Sequence, residues 1–185
     1  MKITKNQLQK HIPLHTKRLL IRKIQMKDAN ELFKTYTSDT KVTSTTSWST
    51  HTSVDETKKF LQHCLDKWKK SEEFNMCICL KKNPSKLIGM FKIKPTEDTV
   101  SIGYVLARRY WNQGLATEAV EAFCDLLLSF SGLNKIQAFT DPENNASIAV
   151  LKKARFNYSH RLPKNIIRPQ MSSKPRDSIV FSLHT

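Results

Sequence analysis

SIGYVLARRYWNQGLATEAVEAF, residues 101–123, changes period in mid-stretch. As far as Leu106 it is rich in β-forming residues. From Gly114 onward, Ala119, Val120, Phe123, Leu126, Leu127 and Phe130 fall on one side of a helix predicted over 114–131. Between the two lies a short basic turn. The chain has only 4 glycines, and one of them stands where this helix begins. The first turn of a helix exposes unpaired N–H groups and the positive end of its dipole, so an anion is stabilised there. A glycine leaves room for a ligand against those amides, and Ala116 adds little bulk. Thr117 offers a hydroxyl, while Arg108 and Arg109 add positive charge. On spacing alone two readings stay open: a phosphate site, or plain capping and close packing at a helix start.

Upstream, RLLIRKI (18–24) reads as a first strand and DANELFKTY (28–36) as a helix, followed by the polar loop TSDTKVTSTTSWSTHT (37–52) with Trp48 inside it. Ser53 and Glu56 form a capping box opening a helix that ends near Lys70. FNMCICLK, KLIGMFKIK and TVSIGYVL predict an antiparallel meander joined by the turn sets KNPS and PTED. Downstream, Gly132 suits a helix C-cap, KIQAFT (135–140) reads as a strand, and NASIAVLKKA (145–154) as a short helix. FNYSHRL and SIVFSLH are closing strands around a loop, PKNIIRPQMSSKPR, that carries Pro163, Pro169 and Pro175.

At 185 residues the chain suits a single α/β domain over 1–185. It has no apolar run long enough to span a bilayer and no secretory leader pattern, which predicts a cytoplasmic protein without a membrane partner. Cys64, Cys77, Cys79 and Cys124 lie in apolar patterns without metal spacing and read as buried, reduced thiols; no metal site is expected. The net charge of +15 is uneven, because residues 1–27 and 152–176 carry lysine and arginine with no acid. Such flanks suit RNA, a ribosome or another acidic surface, or simply a lysine-rich exterior.

The segment 101–123, together with SGLNKIQAF (131–139) and DPENNASIAVLKKARF (141–156), closely resembles the GNAT acyltransferase superfamily, in the branch of ribosomal-protein N-terminal acetyltransferases. LHTKRLLIRKIQMKDANELF, Trp48 followed by TSVDET, and KLIGMFKI match the same branch in order, so the resemblance spans roughly residues 14–162. It implies a mixed, mostly antiparallel sheet of about six or seven strands with helices on both faces, parted between 99–106 and 135–140. It also implies acetyl-CoA as cosubstrate. The pantetheine arm would run beside Tyr104, Val105 and Leu106, and the pyrophosphate would lie on Asn112, Gln113, Gly114, Leu115, Ala116 and Thr117, with Trp111 at the first motif position.

By the same resemblance Asn144 hydrogen-bonds the pantetheine or the bound amine, and Ser147 protonates the departing thiolate; the plain alternative is a turn start and a first helical turn. A main-chain N–H of Val105 or Leu106 would receive the developing oxyanion. Trp48 is either a wall of the acceptor site or a plug for the core. The chain departs from its relatives in having Ser101 and Ser159 where glutamates are usual, and Ala154-Arg155-Phe156 in place of L-G-F. Asp141, Glu143, His51 and Tyr104 remain as candidate bases. The expected activity is transfer of acetyl to a primary amine, favouring a ribosomal-type protein N-terminus. A small amine such as a polyamine or aminoglycoside, or a non-catalytic acetyl-CoA-binding module, are the alternatives.

Overall fold

The computed structural model describes residues 3–184. Its strands are β1 (Leu14–His15), β2 (Leu19–Lys23), β3 (Phe74–Leu80), β4 (Asn83–Pro95), β5 (Thr99–Leu106), β6 (Lys135–Thr140), β7 (Asn157–Arg168) and β8 (Ser172–His184). They form one sheet in the order β1-β2-β3-β4-β5-β6-β8-β7. Every neighbouring pair is antiparallel except β5 and β6. Six α-helices complete the fold: α1 (Lys5–Gln9), α2 (Ala29–Leu32), α3 (Thr40–Thr43), α4 (Val54–Lys69), α5 (Leu115–Leu128) and α6 (Asn145–Lys153).

The sheet is covered on both faces. On one, Leu115, Ala119, Val120, Phe123 and Leu127 of α5 pack with Leu151 of α6, and Phe123 stacks on Phe91 at 4.2 Å between ring centroids. On the other, Leu32, Tyr36, Leu61 and Cys64 meet Cys77, Cys79, Met90 and Ala107. All four cysteines are buried and free, as their apolar settings imply. β3 is buried along almost its whole length, which suits a central strand apolar on both faces. The exposed β7 is an edge.

Several boundaries differ from the sequence reading. The sheet has eight strands because Leu14–His15 adds a short edge strand, and most of the segment read as a proline-bearing loop lengthens β7 and β8 instead. Pro163 is tolerated because β7 is an edge strand whose register shifts between Leu162 and Ile166, Pro169 lies in the turn, and Pro175 lies in the part of β8 that β6 does not reach. The meander's first turn is at residues 81–82, so most of KNPS belongs to β4. Helix 28–36 breaks into a short α2 and a π-helical turn, Phe33–Thr37, and the polar loop contains α3, capped by Asp39. Ser53 caps α4, but Glu56 returns to Thr52 (2.8 and 3.0 Å) rather than to Ser53, so the box is half formed. α5 stops at Leu128, and Gly132 lies beyond it at φ 80°.

The two basic flanks do not merge. One lies at the β1–β2 edge and the other at the β7–β8 edge, with the sheet between them. In the second flank Arg168 is buried and Arg176 is committed to Asp141 and Glu143. Lys152, Lys153, Lys164 and Lys174 remain exposed. Among the described residues no helix is long and apolar enough to cross a membrane.

Candidate active site

The parallel ladder between β5 and β6 runs from Thr99 and Lys135 to Ile102 and Ala138 and stops there. Residues 103–106 of β5 therefore have strand partners only on β4. On that side the Val105 carbonyl comes so close to Gly89 that a Cβ at position 89 would overlap it, so this glycine is required by close approach. The parting of the two strands leaves a row of main-chain groups facing a cleft.

At the end of β5 the chain turns through residues 107–114. The Trp111 indole N–H donates to the Leu106 carbonyl at 2.7 Å, closing the strand end, while 42% of the residue stays exposed. Asn112 (φ 58°) and Gly114 (φ 72°) both take the left-handed conformation. Gly114 is the N-cap of α5 and brings no side chain to its first turn. A Cβ at Gly114 would meet only Arg18 Nη2, at 3.5 Å, so its positive φ and not crowding explains the glycine within the protein itself. Asn112 and Gln113 are exposed, Ala116 and Thr117 half-buried and Leu115 buried in the core. The amides of Leu115, Ala116 and Thr117 occupy the helix's first turn, whose N–H groups lack intrahelical acceptors.

Arg18, which the sequence did not single out, fastens this turn. It donates to the Gln113 carbonyl at 2.8 Å and to Glu118 through its Nε at 2.6 Å and its main-chain N–H at 2.7 Å. Burial alone would raise the Glu118 carboxyl, but bonds from Thr16 and Arg18 outweigh it and hold the group below its usual range. The only signal in the sequence was the adjacency of Arg18 to the first strand.

On the far side of the cleft, Asn144 is the N-cap of α6. Its Oδ1 accepts from the Ser147 N–H at 3.1 Å, and its Nδ2 donates to Thr45 Oγ1 at 3.0 Å. Ser147 Oγ lies 3.0 Å from the Tyr104 hydroxyl, which also donates to the Ser147 carbonyl at 3.2 Å. Burial pushes the Tyr104 phenol up to about 12, partly offset by its bond to Ser147. The structure thus joins Tyr104, Asn144 and Ser147 through neutral groups and adds Thr45, hidden in a polar stretch with nothing to mark it.

The other candidates are committed elsewhere. Asp141 is buried with Arg176 at 2.8 Å and Arg168 at 3.4 Å; burial raises its pKa, but these partners and the Glu143 N–H bring it below the usual carboxylate value. Glu143 is exposed and pairs with Arg176 at 3.0 Å. His51 meets Thr57 Oγ1 at 2.8 Å, and burial lowers its pKa. Trp48 stacks on Phe60 (6.1 Å) and contacts Tyr36 and His51, half-buried, with a shallow surface cavity of about 480 Å³ beside it, so it serves the packing of its loop while keeping an open face. Ser101 lies within β5, and Ser159 is exposed beside His160. Arg155 holds φ 67°, a conformation that favours glycine, between buried Ala154 and Phe156. Among the described residues no group of three or more His, Cys, Asp or Glu side chains is arranged to share a metal ion.

This architecture has known counterparts. The acetyltransferase (GNAT) domain family matches residues 18–157. An uncharacterized N-acetyltransferase, p20, of Bacillus licheniformis is 30% identical over 174 residues, covering 92% of this chain and 94% of its own. A putative ribosomal-protein-serine acetyltransferase from Vibrio cholerae superposes with a TM-score of 0.78 at 27% identity, over 93% of this chain and 97% of its own. The microcin C7 self immunity acetyltransferase MccE, solved with acetyl-CoA and AMP, shares the fold with a TM-score of 0.81 at 16% identity, over 92% of this chain and 94% of its own. The chain belongs to the acetyltransferase (GNAT) domain family and is an acetyl-CoA-dependent acetyltransferase.

Proposed function

We propose that residues 1–185 act as one cytoplasmic catalytic domain that acetylates the α-amino group of a protein N-terminus, of the ribosomal-protein type. The observation that carries this reading is the state of the acids and the histidine around the site. Asp141 is locked by two arginines, Glu143 is exposed and tied to Arg176, and His51 is bonded to Thr57. With no strong base assigned to strip a proton, the acceptor that reacts is one already neutral near pH 7–8. An α-amino group, with an ordinary pKa of about 8, meets that condition far better than a lysine at about 10.4. Polyamines and aminoglycosides, being cationic, would also call for carboxylates free to bind them, whereas Asp141 and Glu143 are paired with arginines. The likeness to a putative ribosomal-protein-serine acetyltransferase supports the same acceptor class.

The residues present suit a CoA thioester. The unpaired side of residues 103–106 offers main-chain groups to an extended pantetheine arm, and the uncapped first turn of α5 offers amides to its pyrophosphate. Asn112, Gln113, Gly114, Leu115, Ala116 and Thr117 would hold the latter, and Tyr104, Val105, Leu106 and Asn144 the former. Acetyl-CoA, when bound, supplies an activated acyl carbon and a thiol leaving group. In this reading the main-chain N–H of Leu106 receives the carbonyl charge, since the Val105 groups face β4, and Ser147 Oγ gives its proton to the sulfur. Trp48 would form a wall for the acceptor chain. The exposed lysines of the β7–β8 flank would help it dock on an acidic surface.

The test is thiol release from acetyl-CoA with free N-terminal peptides, Nα-blocked lysine peptides, spermidine and an aminoglycoside. Turnover confined to free α-amino peptides is expected. Preference for a polyamine or aminoglycoside overturns the acceptor assignment. Acetyl-CoA binding without turnover on any of these acceptors also overturns the acceptor assignment.

A further inference from the structure

We infer that Tyr104 aims the hydroxyl hydrogen of Ser147 and so decides whether that hydroxyl is available as a proton donor; the inference rests on the assignment of Ser147 above. The Tyr104 oxygen has two acceptors within reach on the same residue, Ser147 Oγ at 3.0 Å and the Ser147 carbonyl at 3.2 Å, and only one hydrogen to give. If it donates to the carbonyl, its oxygen accepts from Ser147, and the serine hydrogen points into the phenol. If it donates to Oγ, the serine hydrogen is free to turn to the cleft. One hydrogen bond thus has an idle and a competent direction.

The pair is held so that little else can change. Tyr104 sits in register with Phe91 of β4, their rings stacked at 6.5 Å and 18°. The Ser147 N–H is taken by Asn144, which is itself bonded to Thr45. The phenol keeps its own proton throughout the working pH range, so Tyr104 is a positioning residue and not the acid. Proton balance follows: the hydrogen that reaches the sulfur comes from Ser147 Oγ, and Ser147 is reprotonated by the proton that the acceptor amine releases.

A double-mutant cycle tests this. Ser147→Ala is expected to lower kcat about a hundredfold. Tyr104→Phe is expected to lower kcat about tenfold, with KM for acetyl-CoA and the melting temperature little changed. The double variant should fall no further than Ser147→Ala alone. Losses that multiply would show that Tyr104 acts independently and overturn the inference. An unaffected Ser147→Ala enzyme would instead remove the serine assignment, and the inference with it. Should Tyr104→Phe prove misfolded by circular dichroism, 3-fluorotyrosine at position 104, a stronger donor of nearly the same shape, is expected to keep or raise kcat; a drop overturns the idea.

Discussion

Asp141 and Asn144 stand three residues apart just beyond β6, and their surroundings differ in kind. Asp141 is a buried charge between Arg168 and Arg176, while Asn144 belongs to a neutral set with Ser147, Tyr104 and Thr45. A buried charge pair has essentially one acceptable arrangement, because separating it leaves an uncompensated ion. Hydroxyls and amides can exchange donor and acceptor roles at small cost while their heavy atoms stay still. The first cluster fastens the β7–β8 hairpin to the end of β6, and the second leaves a proton free to be redirected beside the cleft. Proximity to a site is therefore a poor guide to a residue's part in it. Spare protonation states are a better one.

The sharpest way to break this contrast is Asp141→Ala. It leaves the buried Arg168 without its carboxylate and Arg176 with Glu143 alone, and is expected to lower the unfolding free energy by about 3 kcal/mol or more, read from the denaturant midpoint. A nearly neutral change would mean that the charges are solvated and that the distinction fails. Next in size is Gly114→Ala, whose left-handed backbone should cost about 1–2 kcal/mol in thermal unfolding and weaken acetyl-CoA binding. Unchanged stability with weakened binding would assign the glycine to the ligand rather than to its φ.

The pH dependence separates the clusters further. Asp141 and Glu118 have lowered pKa values, so their stabilisation is complete above the ordinary carboxylate range and is lost only as pH falls through the depressed values. His51 is also lowered, by burial, so the unfolded chain binds its proton first and stability declines as pH falls below about 6.5. His51→Gln should abolish that earlier decline in a series of melting temperatures and leave the acid limb intact. Activity should follow the acceptor amine instead, rising to a plateau near pH 8. An enzyme limb near pH 6.5 in kcat/KM would put a histidine back into the mechanism.

The smallest effect concerns Arg155. It occupies a left-handed position, and its pairing with Asp125 at 3.2 Å is exposed. Arg155→Gly should stabilise the protein by about 0.5 kcal/mol, the relieved strain being partly offset by a more flexible unfolded chain.

What the sequence made legible was whatever follows a period or a cap. The meander, β6, α6 and the start of α5 at Gly114 appeared where hydrophobic spacing and backbone chemistry put them. The β7–β8 hairpin was hidden because Pro163, Pro169 and Pro175 read as breakers. Only the topology makes them harmless: Pro163 lies on the edge strand β7, Pro169 in the turn, and Pro175 in the part of β8 that β6 does not reach. In the site, the helix start at Gly114 was legible from local order, while its reading as a phosphate loop came from the resemblance. Arg18 and Thr45 were not, since each matters through a partner about a hundred residues away: Gln113 and Glu118 for one, Asn144 for the other. The Tyr104–Ser147 pair was half legible, each residue marked by resemblance but their hydroxyl contact visible only once β5 and α6 met.

The place where β5 leaves β6 carries a further consequence. Edge strands are sticky, and most proteins shield them against pairing with other chains. Here an edge is created inside the sheet, bordered by β4 on one side and by the continuing β6 and α6 on the other. Like a mortise, it keeps the bonding capacity of a strand end while its two walls are parts of the same sheet, so the unpaired groups lie between elements rather than along the outer rim where another chain would add a strand.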